Sequence, residues 1–240
     1  MFARMTLGFG IVAAALILAC GPGTRLDLWS WMTGLALLTW AAYVGIGVAL
    51  LAVIELAVPI FRRGNARILA LALVLGLAAA APPVAMLQFA KSLPYIHDIT
   101  TDTDDPPAFE ALLAAREASP NKAAYGGEKV AAEQKRAYPD IQPLTLALAP
   151  AQAFERALAA AREEGWDIAG ADAAKGRIEA TATTVWFGFR DDIVVRVRAA
   201  DGSSRIDVRS VSRVGLSDLG ANAKRVRDYL SRIRASSPPR

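Results

Sequence analysis

The chemistry-capable residues of this 240-residue chain fall in three places. Residues 97–110 read HDITTDTDDPPAFE, with five acids and the only histidine of the chain. Clustered carboxylates are the ligands hard cations prefer, and a histidine beside them could carry protons. That combination points to metal-assisted hydrolysis using His97 and the acids from Asp98 to Asp105. No glycine and closing glutamate complete a calcium loop, so the alternative is an extended linker in which Asp104 or Asp105 caps a helix opening at Pro106-Pro107. The second place is a set of arginines at alternating positions in β-like segments: Arg177, Arg196, Arg198, Arg205 and Arg209. On one sheet face they would bind an anionic lipid, a polysaccharide or a partner protein. Alternatively, they form cross-strand ion pairs with Glu179 and Asp207. The third is Glu55, a lone acid in a long apolar run, hence a candidate intramembrane polar site. It stands seven residues before Arg62 and could snorkel or pair there.

No enzyme constellation accompanies these residues. Phosphate-binding glycine loops and nucleophile elbows are absent, and Asp191-Asp192 reads as a turn or cap ahead of a strand. With one histidine and one cysteine, a zinc site of the usual ligands is not expected, and no cofactor is implied.

The elements that must position these residues begin with three apolar segments. There is no charge between Arg4 and Arg25, only Glu55 between Asp27 and Arg62, and none between Arg67 and Lys91. A bilayer core needs roughly 20 apolar residues as helix, so three spans are expected, at about 5–24, 29–58 and 68–90, within a membrane region of 1–91. The charges there (Arg4, Arg25, Arg62, Arg63, Arg67 and Lys91 against Asp27 and Glu55) account for the whole net charge of +4. The remainder is neutral, and the high pI does not point to nucleic acid. Arginine is densest in the 62–67 loop, which the positive-inside rule places in the cytoplasm. The amino terminus then lies inside and everything after residue 91 outside, in the periplasm of a bacterial cell membrane. Ala19-Cys20 also allows a cleaved or lipidated signal, which would leave that location unchanged. Pro82-Pro83 should kink or end the third span. With Glu55, it is the only basis for a transporter or channel reading.

After the spans, residues 92–140 are expected to form a juxtamembrane linker and helices, at 107–118 and 126–137, and residues 141–236 an α+β domain. Strands are expected at 144–148, 166–171, 177–187, 190–199 and 205–213, with Asp201-Gly202 as a hairpin turn. Helices should open at Pro150 and after Ser217 or Asp218. The order β-α-β-β-β-β-α argues an antiparallel sheet covered by helices. At the end of the strand 177–187, in TTVWFGF, Val185, Phe187 and Phe189 would form an aromatic core, or else a ledge for a ligand or membrane.

The segments IHDITTDTDDPPAF (96–109), RAYPDI (136–141), IEATATTVWFGFRDD (178–192) and DVRSVSRVGLSDLGANAKRVRDYL (207–230) resemble the bacterial family called domain of unknown function 1499. The resemblance covers residues 96–235, and family members of this layout also carry spans ahead of the domain. It implies the membrane–domain organisation and no activity, catalytic residue or ligand. On the residues themselves, the leading expectation is a membrane protein whose outer domain binds an envelope protein or an anionic envelope component.

Overall fold

The computed structural model describes residues 1–235; Ser236, the last residue of the expected domain, lies outside them. The helices are α1 (Phe2–Arg25), α2 (Trp31–Ala57), the one-turn α3 (Pro59–Arg62) and α4 (Ala66–Ala90). Then follow β1 (Asp98–Thr100), α5 (Leu113–Glu117), α6 (Gly127–Ala137), β2 (Leu144–Leu146), α7 (Pro150–Glu163), β3 (Asp167–Asp172), β4 (Arg177–Thr183), β5 (Arg190–Ala200), β6 (Ser203–Ser212) and α8 (Ala221–Ala235). The chain divides into a helical unit, Met1–Ser92 with Val185–Gly188, and a sheet unit holding the rest.

In the helical unit, α1, α2 and α4 are each long and apolar enough to cross a membrane, with mean hydropathies of 2.0, 2.2 and 2.3. Their packing is the reverse of a soluble bundle's. Small residues face inward: Ala41, Ala42, Gly45, Ala49 and Ala52 on α2, and Ala72, Gly76, Ala79 and Ala80 on α4. Large apolar side chains such as Phe9, Leu50, Ile54, Val74 and Leu87 face out. Small contact residues let helix backbones approach where lipid removes any hydrophobic drive to bury leucine. Between α2 and α4 a β-carbon on Gly45 would stand 2.7 Å from the Gly76 carbonyl oxygen. Pro82 and Pro83 do not end α4, which continues to Ala90.

In the sheet unit all strand pairs are antiparallel, in the order β1-β6-β5-β4-β3, with β2 also on β6. Asp201 and Gly202 both take positive φ, 37° and 75°, as the expected two-residue hairpin turn requires. One sheet face, carrying Ile178, Ala180, Ile193, Val195, Val197, Ile206 and Val208, packs under α7 and α8 around Phe154, Leu158, Val226 and Tyr229. The Tyr229 hydroxyl, buried there, donates to the Ala157 carbonyl at 2.8 Å. Leu219 precedes α8 with φ of 52°, and the buried stripe of α8 is Ala223, Val226, Tyr229, Leu230 and Ile233.

Three local expectations change. The 98–110 segment is no free linker: Asp98–Thr100 is a strand on the β6 edge. Gln134 of α6 binds both backbone groups of Thr100, donating to its carbonyl at 2.6 Å and accepting from its N–H at 2.9 Å. The helix expected at 107–118 shrinks to Leu113–Glu117. The Glu179 carboxylate takes the N–H groups of Glu110 and Leu112 at 2.7 and 2.9 Å, so these amides bond to a side chain rather than to a helical turn. Strand β4 stops at Thr183, because Thr184 and Phe189 bond each other across a closed loop. Val185 and Trp186 inside that loop are exposed, so the aromatic-core reading of this segment does not hold.

Candidate functional site

Strand alternation sends the other side chains of β4, β5 and β6 to the sheet face opposite α7 and α8. All five arginines singled out in the sequence project there, but the face is not open. Residues 101–123 form a strap across it, and the strap has little regular structure to satisfy its own backbone. The sheet does so instead. Arg196 donates to the Asp105 carbonyl at 2.8 Å, Arg209 to the Pro107 carbonyl at 3.2 Å and the Ala123 carbonyl at 3.0 Å, and Arg177 to the Ala108 carbonyl. Under the strap, Phe109 and Leu112 pack on Val194 and Val211.

Charge pairing completes the layer. Arg209 grips Asp98 with two bonds, at 3.0 and 2.7 Å, with both side chains almost wholly buried. Its guanidinium also lies over the rings of Phe109 and Tyr125 at 5.4 Å from each centroid. Burial, reinforced by the Asp98 charge, pushes the Tyr125 phenol up to about 12. Towards the β5–β6 turn, Arg196, Arg198 and Arg205 meet Asp102, Asp105 and Asp207. The closest contacts are Arg205 to Asp102 at 2.6 Å, Arg205 to Asp207 at 2.8 Å and Arg198 to Asp207 at 2.9 Å. Three guanidiniums and three carboxylates leave this cluster neutral. Asp102 also accepts the N–H groups of Asp104 and Asp105, so it turns the strap as well as pairing with arginine. Neither Asp104 nor Asp105 caps a helix.

Of the five arginines, Arg209, Arg196 and Arg177 are largely covered, and Arg198 and Arg205 keep side-chain exposures of 41% and 36%. Among these five, the accessible guanidiniums are therefore confined to the rim beside the β5–β6 turn. Glu55 does not reach Arg62. It accepts a hydrogen bond from Thr6 of α1 at 3.0 Å, while its second oxygen is buried without a partner among the described residues.

Several residues in this architecture carried no functional reading in the sequence. Asp191 and Asp192 lie inside β5 and are buried, rather than capping it. Asp192 receives the Thr181 hydroxyl at 2.8 Å and Arg213 at 2.8 Å, with Arg116 at 3.5 Å. Arg116 is fully buried, and its guanidinium also donates to the carbonyls of Val211 and Lys122. On the helical face, Asp191 pairs with Arg225 at 2.6 Å, and Asn222 joins Ser210, Ser212 and the His97 carbonyl. Asp218 accepts the N–H groups of Gly220 and Asn222, while burial pushes its carboxyl upward. The sequence shows the acids of 98–110 and the arginines of β4–β6 as separate groups, with nothing local to link them. Pairing them requires the register that brings β1 beside β6.

The acids of the expected metal or hydrolytic centre are thus held mainly by guanidiniums. Among the described residues no group of three His, Cys, Asp or Glu side chains is placed to hold a metal ion.

A family model described as "Protein of unknown function (DUF1499)" matches residues 98–233, more than half of the chain. The chain belongs to this family. The matched region starts at β1 and ends in α8, so the strap and its arginine partners fall within it. Among curated proteins no relative matches the sequence.

Proposed function

We propose that this member of the DUF1499 family is a bacterial cell-membrane protein that holds its α+β domain outside the cytoplasm, where the domain binds an envelope protein. The observation that carries the orientation is the charge of the short loops. Arg62, Arg63 and Arg67 stand together between the second and third spans, whereas Arg25 is offset by Asp27 between the first and second. The rim of Arg198 and Arg205 is the surface offered to the partner. A protein of mixed charge fits it better than a polyanion. The exposed carboxylate of Asp105 stands 3.0 Å from Arg198, so a polyanion would meet negative as well as positive charge.

Two measurements test this reading. A carboxy-terminal alkaline phosphatase fusion should be active and a cytoplasmic fluorescent fusion dark; the opposite pair of results refutes the orientation. Replacing Arg198 and Arg205 by Glu in the full-length protein should remove a partner captured by cross-linking in intact cells, at unchanged protein level. An identical cross-linking pattern in the variant would reject the rim as the binding surface.

A further inference from the structure

Between Glu179 and Arg190 the chain carries no charge, and the run ATATTVWFGF leaves β4 at Thr183 and returns to β5 at Arg190. At its turn Val185 is 85% exposed, and Trp186 beside it is exposed as well. Adjacent large apolar side chains left open at a loop tip mark an interaction surface. Both lie outside the apolar cores of the sheet unit. Residues 185–188 belong instead to the helical unit.

Two helix glycines mark where the loop is seated. A β-carbon on Gly21 of α1 would collide with the Trp186 indole, and one on Gly34 of α2 would stand 3.2 Å from the Phe187 ring. Glycine weakens a helix interior, and at both positions it makes room for a ring. Gly21 stands four residues before the end of α1, and Gly34 three residues after the start of α2. The rings therefore meet the spans about one turn, some 5.4 Å, inside their ends. Close by on α1, Leu18 is 65% exposed, and it lines one apolar depression together with Trp186. The exposed side of the loop is thus continuous with the outer, large-residue surface of the spans. Irregular backbone at this depth needs partners for its polar groups. The Val185 carbonyl has one, accepting the Arg25 guanidinium at 2.8 Å.

We propose that Val185 and Trp186 are a membrane anchor: their exposed side chains lie in the lipid leaflet at the Arg25 end of the spans, against the upper part of the acyl chains. Lipid is the occupant because this surface continues the one that the spans turn to hydrocarbon. Tryptophan also suits the depth, since its amphipathic ring favours the boundary between headgroups and chains. The contact is apolar and uncharged, so a zwitterionic phospholipid satisfies it. The anchor requires the three spans to lie in a membrane; it depends on neither the orientation of the chain nor the Arg198–Arg205 rim.

The test is electron paramagnetic resonance of the full chain in nanodiscs of dioleoyl phosphatidylcholine, with one nitroxide on Val185→Cys in a Cys20→Ala background. Collision with oxygen, which concentrates in hydrocarbon, is divided by collision with a water-soluble nickel chelate. Leu18→Cys, on the outer surface of α1, and Ala173→Cys, in the exposed turn between β3 and β4, are the two references. Val185 is itself exposed, so the label displaces no packed side chain. The ratio at Val185 should be at least about fivefold that at Ala173, as it should be at Leu18. A smaller ratio at Val185 with a high one at Leu18 overturns the anchor alone. A small ratio at both positions overturns the membrane spans and the anchor with them.

Discussion

Replacing Asp98 by Asn should loosen the whole strap, and the size of the effect follows from what the pair does. The Arg209 guanidinium is buried and accepts compensation from one carboxylate, at 2.7 and 3.0 Å. Asn keeps the shape and removes the charge, leaving a buried cation with two carbonyls and two ring faces as its remaining partners. Removing one partner of a buried pair costs about 3–5 kcal/mol. At about 1.4 kcal/mol per factor of ten, that is roughly two to three and a half orders of magnitude in an opening equilibrium. It is also a large share of the roughly 5–15 kcal/mol that holds a domain folded. Hydrogen exchange of the full chain in detergent, read by mass spectrometry, would report it as faster exchange of the β1 and β6 amides and of residues 105–123. Salt provides a second arm. The screening length falls from about 10 Å at 0.1 M to about 3 Å at 1 M. A buried pair is largely shielded from that change, so wild-type protection should hold across it. Less than tenfold acceleration in Asp98→Asn, or wild-type protection that collapses at 1 M salt, would mean that the pair does not anchor the strap.

Other outcomes follow from the same structure. Gly76→Val should sharply reduce the monodisperse fraction on heating in detergent, since its β-carbon would meet the Gly45 oxygen at 2.7 Å and the Ala49 nitrogen at 2.9 Å, both backbone atoms. Gly47→Val, where a β-carbon meets nothing within 4 Å, should be tolerated; equal losses would refute the helix contact. Asn222→Ala takes one buried hydrogen bond each from Ser210, Ser212 and the His97 carbonyl, leaving Ser210 with Arg225 and the carbonyl with the Ser212 N–H. It should cost about 1–3 kcal/mol, seen as faster exchange in α8 and β6. The Arg227 hydrogen bonds hold the Asp140 carboxyl below its usual value. Stability from this pair is therefore present above the unfolded carboxylate range and lost as pH falls through the lowered value. Both side chains are about half exposed, so Asp140→Asn should cost under about 1 kcal/mol at neutral pH and nothing in strong acid. A constant difference from the wild type across that range would contradict the assignment.

The periodicities of this chain determined much by themselves. Long runs with no charge or only Glu55 fixed the three apolar helices, because a bilayer-length segment tolerates few charges. Asp201-Gly202 fixed the β5–β6 hairpin, and alternation put Ile193, Val195 and Val197 on one face and Arg196 and Arg198 on the other. These are local properties, carried by a few consecutive residues. Tertiary structure decided what covers the arginines. The acids of residues 98–105 read as a linker because their partners lie about a hundred positions away, and only the β1–β6 register puts Asp98 within reach of Arg209. Likewise, Phe109 and Glu110 look helical in isolation, but the Glu179 side chain claims the amides that a helix would need. Glu55 faced the same limit: sequence distance suggested Arg62, whereas packing of α1 on α2 supplied Thr6. Where a side chain's counter-charge comes from another element, its accessibility is a property of the assembled fold, and the strand that bears it cannot reveal it.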